Sequence, residues 1–122
     1  MSDCIFCDII AGKSPAYKVY EDEAVLAFLD HRPVDNGHTL IIPKKHARNL
    51  LTMTPEETAD LFRRVPAVIE RLRVLDFDGM QEFVHNEAIA HQVVFHTHIH
   101  LVPRWEKTQK NMTLQEVWEK LQ

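Results

Sequence analysis

Eight histidines occur in 122 residues, and five of them fall between His85 and His100. Three of the five alternate with other residues in Phe95-His96-Thr97-His98-Ile99-His100-Leu101-Val102-Pro103. A strand sends successive side chains to opposite faces. His96, His98 and His100 then share one face at intervals of roughly 6.6–7 Å, while Thr97, Ile99 and Leu101 face a core. Packing explains an all-imidazole front poorly, because imidazole is rarely fully buried without partners and neighbouring imidazolium rings repel. Three readings stay open. The face is hydrogen-bonded and does no chemistry. It binds a metal, although alternate residues on one strand spread along a line and converge badly on a tetrahedral ion. Or it carries covalent phosphoryl or nucleotidyl transfer, since neutral imidazole attacks phosphorus near neutral pH and its neighbours donate to phosphate oxygens. No Walker-type Gly-rich loop occurs, so any phosphate must be held by side chains and by backbone amides of the triad strand and its approach.

A second constellation opens the chain. Cys4-Ile5-Phe6-Cys7 is a Cys-x-x-Cys pair, which is either half of a tetrahedral zinc site or two reduced thiols on a helix. The two cysteines are the whole cysteine content. Without a basic, apolar leader the chain reads as cytoplasmic, where a structural disulfide is not expected. Fourteen Lys and Arg against eighteen Asp and Glu leave a formal charge of -4. Neither that charge nor any alternation of aromatic and basic residues favours a nucleic-acid partner. No apolar run approaches the ~20 residues of a membrane span.

The elements that must position these residues are legible in outline. Length and the absence of linkers or repeats imply one domain over residues 1–122. Cys4 to Ile10 reads as a short helix, with Gly12 near its C-terminus. Tyr17–Tyr20 and Val25–Leu29 read as a hairpin across the acidic turn Glu21-Asp22-Glu23. Asn36-Gly37 marks a turn before a buried strand from His38 to Ile42. Thr54-Pro55-Glu56-Glu57 is a capping box with proline at the first helical position. It starts a long helix whose stripe is Leu61, Phe62, Val65, Val68, Ile69 and Leu72, with Pro66 bending it or loosening a turn, and Phe77-Asp78-Gly79 ending it. Strands follow at about Gln81–Val84 and Val93–Val102. Thr113-Leu114-Gln115-Glu116 starts a terminal helix whose stripe, Leu114, Val117, Trp118 and Leu121, docks on the body or on another subunit. The expected class is α+β: an antiparallel sheet of about five strands, one long helix packed on it, and short N- and C-terminal helices.

His-Thr-His-Ile-His-Leu-Val resembles the histidine triad pattern of the HIT family of nucleotide-binding hydrolases and transferases. The likeness extends to Cys4–Ile10, to Leu26-Ala27-Phe28-Leu29-Asp30 and to Gly37-His38-Thr39-Leu40-Ile41-Ile42-Pro43-Lys44-Lys45-His46, in family order. The resemblance implies that His98 attacks the α-phosphorus of a purine nucleotide conjugate, adenosine-type, to form a nucleotidyl-histidine that water hydrolyses. His100 would contact the phosphate oxygens and His38 would buttress the triad. Ile5, Phe6, Ile9, Phe28, Leu29 and Leu40 would enclose the base, and Asp30 would accept from the ribose hydroxyls. Asn86 matches a polar residue at the mouth of the triad loop, within reach of phosphate or ribose. Gln92 would orient the phosphate or the attacking water, and the amides of Val93 and Val94 would face the phosphate. On the model of zinc-binding relatives, Cys4, Cys7, His46 and His96 would hold a structural zinc. A homodimer, paired through the long helix and a sheet edge, is expected as well.

The chain departs from the family at one point. His91 stands where Gly is usual before the glutamine, and Val93 where many members carry a hydroxyl that can donate to the leaving group. The loop before the triad is also one residue shorter than in the phosphoramidate-cleaving branch. An enzyme acting through His98 and a nucleotide-binding regulatory or partner-binding module with little turnover both fit this sequence.

Overall fold

The computed structural model describes residues 3–107 and 109–122. Its strands are β1 (Lys18–Glu21), β2 (Val25–Leu29), β3 (Thr39–Pro43), β4 (Gly79–Phe83) and β5 (Ile99–Arg104). They form one antiparallel sheet in the order β1-β2-β3-β5-β4. Its helices are α1 (Ile5–Ile10), α2 (Pro55–Phe62), α3 (Val65–Leu72) and α4 (Leu114–Lys120). The α+β class and the five-stranded antiparallel sheet are as the sequence predicts.

Helices cover both faces of the central strands, so β2 and β3 are buried throughout rather than alternating. The side chains still divide by parity. Val25, Ala27, Leu29, Ile41, Ile99 and Leu101 pack with Leu61, Val68, Leu72 and Val117 on one face. Leu26, Phe28, Leu40 and Ile42 pack with Phe6 and Ile9 of α1 on the other. His100 pairs with Leu40 across β3 and β5, which puts the triad on the α1 face.

Both capping boxes form as read. Thr54 Oγ1 accepts from the Glu57 amide at 3.1 Å, and Thr113 Oγ1 accepts from the Glu116 amide at 3.1 Å. The long helix, however, is two helices. Pro66 has no amide proton to continue the ladder, and the chain breaks at Arg63-Arg64 before α3 restarts. The break turns Phe62 outward, so this member of the expected stripe is 40% exposed. A left-handed Asp76 ends the helical region, and Gly79 opens β4 instead of closing a helix. The hairpin turn is held by Asp22, whose Oδ1 accepts from the Ala24 and Val25 amides while Oδ2 receives Tyr20 Oη and Arg64 Nε.

The triad segment needs a larger correction. A strand over Val93–Val102 is expected, but β5 begins only at Ile99. Before it the chain runs against the segment after β3, with the Thr97 amide donating to Ala47 O at 2.8 Å. His96 and His98 therefore sit on an irregular approach, and only His100 lies in the ladder. α4 docks on the body: Val117 is buried, and Trp118 packs on Tyr17 and donates to Lys18 O at 3.2 Å. Among the described residues, no helix is long and apolar enough to cross a membrane.

Candidate active site and metal centre

Hydrogen bonds assign the protons of four imidazoles in turn. His98 Nδ1 lies 2.7 Å from the carbonyl of His96, so it must donate, and Nε2 carries the lone pair. The irregular approach makes this bond possible, since a ladder strand would commit that carbonyl to a neighbour. The Val34 amide donates to His38 Nδ1 at 3.0 Å, which puts the His38 proton on Nε2. Nε2 in turn lies 3.0 Å from His100 Nδ1 and 3.5 Å from Asp30 Oδ2. His100 must accept there, and so presents Nε2–H as a donor. A ring with a bare nitrogen thus stands beside a ring with an N–H, their centroids 4.9 Å apart.

Burial keeps these rings uncharged. It lowers the pKa of His98 and His38 below the ordinary imidazole value, Asp30 opposing the shift in both. For His100, burial together with the adjoining His98 and His38 pushes it down to about 3. A nucleophile must be unprotonated, and His98 meets that condition at neutral pH.

Cys4, Cys7, His46 and His96 form the second cluster, with their ligand atoms within 4.8 Å of one another. His96 Nδ1 is 3.3 Å from Cys4 Sγ, 3.5 Å from Cys7 Sγ and 3.1 Å from His46 Nδ1; Cys7 Sγ is 3.3 Å from His46 Nδ1. Ligands at zinc–sulfur and zinc–nitrogen bond lengths around a tetrahedron lie about 3.4–3.8 Å apart. Two sulfurs and two nitrogens at these separations suit that ion. His96 Nε2 donates to Pro43 O at 2.7 Å, which leaves Nδ1 bare toward the cluster and gives the ring its outer partner. Burial lowers the His96 pKa to about 4.

The expected nucleoside residues divide. Ile5, Ile9, Phe28 and Leu29 line a cavity of about 610 Å³, although the Leu29 side chain is packed in the helix-side core. Phe6 and Leu40 lie in the buried layer beneath, where Phe6 sets its edge against Phe28 at 5.4 Å and against His98 at 5.1 Å. His31 and Leu114 line the same cavity, and the sequence reading assigns neither to the nucleoside; His31 follows Asp30 directly, and that adjacency is the available signal.

Gln92, expected to orient the phosphate or the attacking water, braces the loop in this structure. Its Oε1 accepts from Asn49 Nδ2 and the Glu87 amide, and its Nε2 donates to Arg48 O and Val94 O. All the hydrogen-bonding positions of this amide are thus engaged inside the protein. Asn86 Oδ1 accepts from the Leu50 amide at 2.9 Å, so its NH2 group is what it can offer a ligand. Val93, 83% exposed, and Val94 line a second cavity of about 680 Å³ beside the cysteines, with His46 and Arg48. Arg48 holds Glu87 through both carboxylate oxygens at 2.9 Å and pulls its pKa down to about 2.

A family model described as HIT domain matches residues 11–107. An uncharacterised HIT-like protein of Methanocaldococcus jannaschii is 47% identical over 84% of this chain and 80% of its own. An adenylylsulfatase of Arabidopsis thaliana is 43% identical over 87% of this chain, which spans 54% of that protein. Among solved structures, a Streptococcus mutans protein superimposes with a TM-score of 0.86 at 49% identity, covering 92% of this chain and 72% of that one. A zinc-bound histidine triad family protein from Mycobacterium smegmatis gives a TM-score of 0.82 at 36% identity, covering 98% and 90%.

Proposed function

The chain belongs to the HIT domain family, and on that premise we propose that it is a nucleotide phosphohydrolase or nucleotidyl transferase working through His98. The substrate is a nucleoside 5′-phosphate conjugate, adenosine-type by analogy with the Arabidopsis adenylylsulfatase. The observation that carries the reading is the 2.7 Å bond from His98 Nδ1 to the His96 carbonyl. It fixes the tautomer, keeps Nε2 as the attacking atom, and offers a fixed acceptor when the ring becomes positively charged on bonding to phosphorus.

In the first step Nε2 of His98 bonds to the α-phosphorus and the bond to the leaving group breaks. His100, its proton held on Nε2 by His38, donates to a phosphate oxygen whose charge grows in the transition state. Asp30 takes the ribose hydroxyls, and the cavity between α1 and β2 takes the base. Water then attacks the phosphorus, releases the nucleotide and returns His98 to its starting tautomer.

Cys4, Cys7, His46 and His96 would hold zinc, which with four protein ligands supplies structure rather than an open Lewis-acid position. Those residues tie α1, and with it Phe6, to the triad approach. The proposal includes a homodimer. β4 is an edge of the sheet, and Leu51, Ile89 and Val93 expose apolar side chains among the described residues. Light scattering at micromolar concentration tests it, and a monomer would refute the pairing.

The test of the reaction is a rapid-quench mass measurement with adenosine 5′-phosphoramidate, adenylyl sulfate and a dinucleoside polyphosphate. Wild-type protein gains one nucleoside monophosphoryl group, and His98→Ala gains none while still binding AMP. Turnover that survives His98→Ala overturns the proposal. Binding of AMP without turnover of any of the three by wild-type protein overturns it too, in favour of a binding module.

A further inference from the structure

His85 stands beside the triad without a role in the reaction just described. The ladder between β4 and β5 pairs Phe83 with His100. Position 85 lies two residues beyond the end of β4, where its ring stands against the third histidine of the triad. His85 lies 5.4 Å from His100, and both rings flank Phe83, which stacks on His100 at 4.4 Å and on His85 at 5.1 Å. His85 is half-buried, and its Nδ1 donates to the His91 carbonyl at 3.2 Å. That bond is available in the neutral and the charged ring alike, and it leaves Nε2 as the nitrogen that can gain or lose a proton.

The two sides of the His98–His100 row differ. On the side of β3 and β2 lie His38, Asp30 and the cavity that takes the nucleoside. On the other side are β4 and the loop 85–92. A group leaving the α-phosphorus departs away from the nucleoside, toward this second flank. Among the described residues there, the side chains of Val93 and Val94 carry no proton donor, the Asn86 amide is not an acid, and the Gln92 amide donates to Arg48 O and Val94 O. His91 is exposed, its ring 6.0 Å from that of His85. On this flank His85 is the half-buried ring packed against the triad.

We propose that His85 is a further catalytic residue, the proton donor to the leaving group and the proton acceptor from the attacking water. The inference rests on the nucleotidyl-His98 reading above. As the bond from His98 Nε2 to phosphorus forms and the bond to the leaving group breaks, the departing atom takes the proton of His85 Nε2–H and leaves neutral. Water then attacks the nucleotidyl-His98, gives a proton to the now neutral His85, and supplies hydroxide to phosphorus as His98 departs with its electron pair. The cycle consumes one water and restores both rings.

The experiment compares two substrates in wild-type protein and in His85→Gln, using single-turnover rates of His98 nucleotidylation. One is adenosine 5′-phosphoramidate, whose amine cannot leave without a proton. The other is the p-nitrophenyl ester of AMP, whose phenolate leaves unaided. The rate with the phosphoramidate falls at least about 100-fold in His85→Gln, while the ester rate stays within about threefold. The ester also reports that the variant is folded. Equal losses on both substrates would mark a structural role and overturn the proposal, as would no loss on either. If wild-type protein transfers a nucleotide from neither substrate, it is the underlying reading that fails, and this inference falls with it.

Discussion

His38 Nε2 lies 3.0 Å from His100 Nδ1, and the proton between them belongs to His38, because the Val34 amide already occupies the other nitrogen of that ring. A backbone amide 66 residues from the triad's third histidine therefore decides which nitrogen of His100 is a donor. Replacing His38 with Ala removes that control. Long-range proton–nitrogen NMR should show His100 as the Nε2–H tautomer in wild-type protein and as a mixture in His38→Ala, with turnover down about 10- to 100-fold. An unchanged His100 tautomer in the variant would refute the relay.

Asp30 accepts the Arg32 amide through Oδ1, while Oδ2 faces His38 at 3.5 Å. On the proposed reading this anchored carboxylate receives the ribose diol. Asp30→Ala should weaken ribonucleotide binding by about 1.5–3 kcal/mol, the range for hydrogen bonds to a charged group. Binding of the 2′-deoxy analogue should change less. Calorimetry with AMP and dAMP measures both, and equal losses would remove Asp30 from ribose recognition.

The proposed zinc cluster joins residues that are 92 positions apart at Cys4 and His96. Protein purified without added metal should carry about one zinc per chain, and Cys4→Ser or chelation should release it. Loss of a structural zinc should lower Tm by about 10 °C or more in a chain of this size. Elemental analysis and a thermal melt test the claim together. Unchanged zinc content in Cys4→Ser would sink it.

Three buried imidazoles outside the proposed zinc cluster make stability depend on pH in a defined direction. Burial lowers the pKa of His38 and His98, and brings His100 to about 3. In the unfolded chain each ring takes up a proton near pH 6.5. Below that pH the unfolded state binds more protons than the folded state, so stability falls as pH falls. Each ring contributes about 1.4 kcal/mol per pH unit between its unfolded and folded values. Tm should be flat from pH 8 to 7 and decline from 6.5 toward 5. A Tm that rises over the lower interval would contradict the neutral-triad description.

Gly37 precedes His38 at φ +81, and a Cβ there would meet Leu75 Cδ1 at 2.5 Å and Pro103 Cγ at 3.2 Å. Gly37→Ala should cost about 1–3 kcal/mol from the left-handed backbone and the contact together. A denaturant titration that shows no loss would mean the turn relaxes freely.

Local chemistry was open to reading from the residues alone. Alternation of His96, His98 and His100, the Thr54 and Thr113 capping boxes and the parity of Val25–Leu29 all depend on neighbours within four positions. Pro66 announced a weak point in the helix, but whether the chain bends or breaks depends on what each half packs against. The family likeness named His98 as the reacting ring, yet its tautomer follows from a carbonyl two residues back that is available only because the chain there leaves the ladder. Gln92 looked like a ligand contact because an amide can face either way. Asn49, Glu87, Arg48 and Val94 turn it inward, and nothing in their spacing announces that they meet.

Local sequence thus determined most of the elements, the shared face of His96, His98 and His100 and the Cys4–Cys7 pair, since backbone geometry alone sets which side chains share a face, and the family likeness singled out His98. Tertiary structure decided the rest: the meeting of His46 and His96 with the cysteines, the Asp30–His38–His100 line and the approach of His85 to the triad. Each of these depends on strand register and on one irregular segment, and those are set by the packing of the whole sheet between α1 and the α2–α3 pair, not by any stretch of sequence taken singly.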